Sequence, residues 1–130
     1  MQLYLLIALG GALGSVLRFF LSGAVASHFG ETFPWGTLIV NVSGSFVIGF
    51  IASLTGPEGR WFASGETRMF LMTGICGGYT TFSSFSLQTL NLVRDGDWLR
   101  ASAHILGSVI LCLVFVWLGH ALAAVFNSSR

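Results

Sequence analysis

Lysine is absent from the 130 residues, and the only fixed charges are six arginines and five acidic side chains. A charged share of 8% lies far below the roughly 25% of soluble domains. No soluble unit fits within the chain, so residues 1–130 read as one four-helix membrane domain. The arginines are scattered singly, which excludes the basic patch that a nucleic-acid partner needs. Aspartate, glutamate and lysine are all missing from the apolar stretches, so proton-coupled transport by a membrane carboxylate has no candidate residue. The two cysteines, Cys76 and Cys112, fall inside apolar segments without metal-ligand spacing to any histidine and read as small hydrophobes, not a disulfide. His28 and His120 have no clustered partner, which leaves nucleophilic and metal catalysis without a site. The amino terminus lacks a basic region ahead of a short apolar core, so the first segment is expected to stay in the mature protein.

What is present is apolar sequence: 54% of residues are hydrophobic. Four stretches stand out, at residues 3–26, 35–54, 69–93 and 101–126. Each approaches or exceeds the roughly 20 residues that cross a bilayer as a helix. Short polar connections separate them, with Pro34 and Pro57 in two of the three. Four spans put both termini on one side. One subunit of this size has little interior of its own, so oligomerisation is expected.

Arginine counts do not orient the chain. Arg60, Arg68 and Arg130 belong to the side with the termini; Arg94 and Arg100 belong to the other, joined by Arg18 if that side chain snorkels. Near balance leaves two readings open under the positive-inside rule: insertion both ways, giving an antiparallel dimer, or one orientation set by a marginal bias.

The third stretch holds a helix-hostile run, Gly77-Gly78-Tyr79-Thr80-Thr81-Phe82-Ser83-Ser84-Phe85. With Gly74, its glycines and β-branched threonines predict an unwound turn near mid-membrane, whose carbonyls are ready ligands for a bare cation. Close helix packing through Gly74 and Gly78 is the competing reading. Phe82 and Phe85 lie three apart on one helix face, and their ring edges carry positive potential suited to an anion. Thr37, Asn41 and Ser45 form a polar stripe on the second helix, and His104 and Ser108 lie four apart on the fourth. Asn41 reads as an anion donor or an interhelical bond, His104 as an interfacial or packing residue or part of a donor stripe. Arg18, the one charge within a span, reads as snorkelling or as drawing anions into a vestibule. The glycine run Gly10-Gly11-Ala12-Leu13-Gly14 follows no strand and reads as close helix packing.

Together, Gly10 to Arg18, Gly36-Thr37-Leu38 with Asn41, and Gly77 to Ser86 resemble the CrcB/Fluc family of bacterial fluoride channels. The resemblance implies an all-α inner-membrane protein with four transmembrane helices per subunit, the third broken near mid-membrane. It also implies an antiparallel, dual-topology homodimer with two pores that passively exports fluoride. By the same resemblance, the edges of Phe82 and Phe85 line the pores, and Asn41 and Ser108 donate beside the fluoride path. Thr37, Thr81, His104 and Arg18 are associated with that path, and the Gly77 and Thr80 carbonyls hold a structural sodium ion at the dimer centre. Gln88 stands where many members carry glutamate. The alternatives are a non-transporting scaffold, a small multidrug-type exporter, and a cation channel using the Gly-Gly-Tyr turn as a filter.

Overall fold

A computed structural model describes residues 1–129; Arg130, which enters the arginine tally, lies outside the described residues. The chain is all-helical. Helices α1 (Gln2–Phe29) and α2 (Trp35–Leu54) are followed by a third rod with three parts. Its short opening turn α3 (Gly65–Arg68) runs into a π-helical stretch (Met69–Cys76) and a closing turn α4 (Gly77–Tyr79). Helix α5 (Phe82–Arg94) and the long α6 (Trp98–Ser128) complete the chain. Helices α1, α2 and α6 are each long and apolar enough to cross a membrane. This is a multi-pass membrane protein.

Local sequence explains the helix ends. The side chains of Ser64, Thr81 and Asp97 accept from the amides of Thr67, Ser84 and Arg100, capping α3, α5 and α6. At the end of α5, Gly96 takes φ +76°, while its N–H and that of Asp97 bond back to Val93 and Leu92. That reversal needs a left-handed residue, which glycine supplies without steric cost. The guanidinium of Arg68 donates to the Ala52 carbonyl and the Thr55 hydroxyl, so a cation sits on the open carbonyl end of α2. Arg60 likewise reaches Phe126 O and Ser129 Oγ at the end of α6. Asn127 joins the two ends, accepting from Arg60 N at 2.7 Å and donating to Ser53 O at 3.2 Å.

Glycine sets the packing. A Cβ on Gly14 would run into the Ile75 carbonyl, and one on Gly10 would lie 2.8 Å from Phe70 O. The Cβ of a residue at 78 would likewise meet the backbone of Gly11. Thus α1 and the third rod meet backbone to backbone, as small residues permit in a membrane. Gly49 and Gly119 do the same between α2 and α6, against Val116 and Phe46. Helix α2 is central, touching α1, the third rod, α5 and α6. The buried apolar core is small, comprising Leu38, Val40, Leu54, Cys76, Ala101 and Ala123. Most large apolar side chains face outward, which suits lipid and partner surfaces but not water.

Candidate functional site

The third rod opens at Thr80 and Thr81, both with extended backbone (ψ 158° and 111°). The unwound turn expected from the glycines and the β-branched threonines falls at the threonines, while Gly77 and Gly78 stay helical and Gly78 is pressed against Gly11 of α1. The β-branched threonines carry the extended geometry instead.

Breaking a helix frees backbone groups that must find partners. The amide of Thr81, which would bond to Gly77 in a continuous helix, donates to Asn41 Oδ1 at 2.8 Å. The carbonyl of Thr81 accepts from Asn41 Nδ2 at 3.1 Å. The carbonyl of Gly78 accepts from Arg18 Nε at 3.1 Å and from Ser15 Oγ at 3.4 Å. Thr80 Oγ1 folds back on Cys76 O, and the hydroxyls of Tyr79 and Ser43 lie 2.8 Å apart. The carbonyls of Gly77 and Thr80 have no hydrogen-bond partner among the described residues.

Below the break, α5 carries the aromatic pair. The Phe82 and Phe85 rings have centroids 5.4 Å apart, inclined at 43°. Phe82 is 79% exposed, whereas Phe85 is turned inward against His104, with centroids 4.8 Å apart. The other neighbour of His104 is Phe33, edge-on at 5.6 Å. His104 is fully buried and packs within the fold. Its Nδ1 lies 3.5 Å from Ser108 Oγ, also buried. Its Nε2 and Gln88 Oε1 are buried without a hydrogen-bond partner among the described residues.

Thr37 is buried on α2 one turn from Asn41, and Ser45 bonds back to the Asn41 carbonyl. Thr37 and Thr81 share a cleft of about 730 Å³ with Arg18, Ser22, Ser84, Gln88 and Asn91. Glu31, Asp95 and Asp97 also line it. Asp97 is held by the guanidinium of Arg100 at 2.7 Å and by its backbone N–H, which keep the carboxyl below its ordinary range. Arg18 lines this cleft too, with its Nε directed to the break.

The fold therefore brings Asn41, Thr81 and Arg18 to the break, groups Phe85, His104 and Ser108, and places Thr37 in the cleft beside them. Sequence reasoning missed Ser15 and Phe33. Ser15 precedes Arg18 by three residues on one helix face, a spacing that pointed to a shared target. Phe33, in a connection, carried no such signal. Both cysteines are free.

Residues 5–120 match the family described as CrcB-like protein, Camphor Resistance (CrcB). The chain belongs to the CrcB family. A relative from Opitutus terrae, named fluoride-specific ion channel FluC, is 69% identical over all of this chain and 98% of its own length. Relatives of the same name from Rhodospirillum rubrum and Methylocella silvestris are 59% and 55% identical. The alignments cover 97% and 98% of this CrcB chain, and 98% and 97% of the relatives.

Proposed function

We propose that this CrcB protein is a fluoride-selective channel, not an enzyme, that lets fluoride leave passively across the bacterial inner membrane. The observation that carries the reading is a set of neutral polar groups and aromatic rings gathered between α2, α5 and α6. Thr37 and Thr81 line the cleft with Glu31, Asp95 and Asp97, Asn41 bonds to Thr81, and Phe85, His104 and Ser108 form a second group, which we read together as one anion path. Fluoride is small and holds its water tightly, so a narrow path has to replace that water with donors while excluding larger chloride by diameter. Neutral donors let the ion leave again. Unmet hydrogen-bonding capacity at His104 Nε2 and Gln88 Oε1 suits a track of polar groups beside Phe85.

The reading includes an antiparallel homodimer with two pores. Gly77, Thr73, Ser83, Ser86 and the exposed Phe82 lie on the outside of one subunit. Small and polar groups at that depth call for a protein neighbour. The balanced arginines are compatible with insertion in both directions. Two copies of the break would bring the Gly77 and Thr80 carbonyls together. Hard oxygen donors without partners fit an alkali cation, and a sodium ion bound there would supply a central tie between subunits.

The test is efflux from liposomes holding the purified protein, read with fluoride and chloride electrodes. Fast fluoride release with chloride retained is expected. Failure to release either ion from well-folded dimers would move the scaffold reading to the front.

A further inference from the structure

The break exposes several carbonyls, yet α1 takes up only one of them. Gly78 O, which a continuous helix would give to the amide of Phe82, is held by Arg18 Nε at 3.1 Å and Ser15 Oγ at 3.4 Å. Close approach makes this possible, since Gly14 lies against Ile75 and Tyr79, and Gly11 lies against Gly78. With Gly78 O turned to α1 and the Thr81 backbone clasped by Asn41, the peptide planes on either side are constrained. The carbonyls left over are those of Gly77, Tyr79 and Thr80, of which the channel reading assigns Gly77 and Thr80 to the cation.

From this geometry we infer that Arg18, with Ser15, is a positioning residue that decides which carbonyls of the break are free to bind a cation. The inference rests on the channel reading and its central sodium. It assigns Arg18 a task other than attracting anions, and the two tasks have opposite signs. A guanidinium acting only by charge near a cation site repels the cation, so removing the charge tightens sodium binding. A guanidinium acting by its grip on Gly78 O aligns the neighbouring peptides, so removing it weakens sodium binding.

The experiment uses the purified full-length protein with sodium replaced by N-methyl-D-glucamine at constant ionic strength. Sodium is titrated back while the thermal unfolding midpoint is followed, since a ligand bound only to the folded state raises it by mass action. Fluoride efflux from liposomes is recorded in parallel. We expect sodium to stabilise the unaltered protein. Arg18→Gln and Arg18→Lys should both need roughly tenfold more sodium, although lysine keeps the charge. Ser15→Ala, which changes no charge, should need roughly threefold more. Unchanged or tighter sodium binding in Arg18→Gln, with Ser15→Ala like the parent, would overturn the assignment. Should the arginine variants not yield folded protein, Ser15→Ala alone decides. An unaltered protein indifferent to sodium would overturn both the sodium site and this inference. A parent that binds sodium but releases no fluoride would overturn the channel reading alone.

Discussion

Asn41 grips the backbone of Thr81 at both ends: its Oδ1 accepts the Thr81 amide at 2.8 Å and its Nδ2 donates to the Thr81 carbonyl at 3.1 Å. One side chain on α2 thereby replaces two helical hydrogen bonds and holds the third rod open. On the channel reading proposed above, the second N–H of the amide would serve the anion. Asn41→Ala should therefore lose both fluoride flux and stability. Interhelical bonds in membranes are individually modest, so a loss of about 1–2 kcal/mol is expected, read as a lowered thermal midpoint in detergent. Lost flux with unchanged stability would mean that the grip is dispensable.

Phe82 is exposed on one subunit, and its ring leans on Phe85. Phe82→Ile removes an aromatic edge while keeping apolar bulk. We expect fluoride efflux to fall roughly tenfold or more, a barrier rise of about 1.4 kcal/mol or greater, with dimer assembly intact by size exclusion. Normal efflux would remove Phe82 from the pathway.

Two neighbouring glycines of α1 should respond differently to one methyl group. A Cβ on Gly14 would collide with the Ile75 carbonyl, whereas one on Gly11 meets nothing within 4 Å. Overpacking costs about 1–3 kcal/mol. Gly14→Ala is expected to lower the unfolding midpoint and the yield of folded protein, and Gly11→Ala to behave as the parent. Equal behaviour of the pair would contradict the packing of α1 on the third rod.

The carboxyl of Asp97 caps α6 and is held in its charged form by Arg100. A carboxyl with a lowered pKa in the folded state contributes stability above its unfolded value, about 3.9, and loses it as pH falls through the folded value. Asp97→Asn keeps the cap and removes the charge. The difference in unfolding midpoint between parent and variant should be present at neutral pH and shrink below about pH 4. A difference that persists in acid would assign the effect to the cap geometry and not to the charge. Because both partners are solvent-accessible, the effect should also weaken in high salt.

Length and hydropathy are local properties, and they made much of this protein legible in its sequence. The second apolar stretch coincides with α2, and the first and last fall inside α1 and α6, which continue a few residues further. The packing role of Gly10 and Gly14 was also readable, because small residues one helical turn apart form a continuous shallow face. Composition alone removed a membrane carboxylate and a nucleic-acid surface from consideration.

Contacts between distant segments decided the rest. The run from Gly77 to Thr81 pointed to an opening of the third rod, but propensity, which describes an isolated helix, does not say at which peptide it falls. In the fold, Gly78 is committed to α1, and the extended geometry falls at Thr80 and Thr81. Arg18 has a polar carbonyl target 60 residues away. His104 is enclosed by Phe33 from a connection and Phe85 from α5, neither its neighbour in sequence. The sequence by itself determined which segments enter the membrane and which chemistries they lack. The tertiary structure alone decided which backbone groups are satisfied and which are left open, because hydrogen bonds are short, directional and formed between residues that only folding brings together.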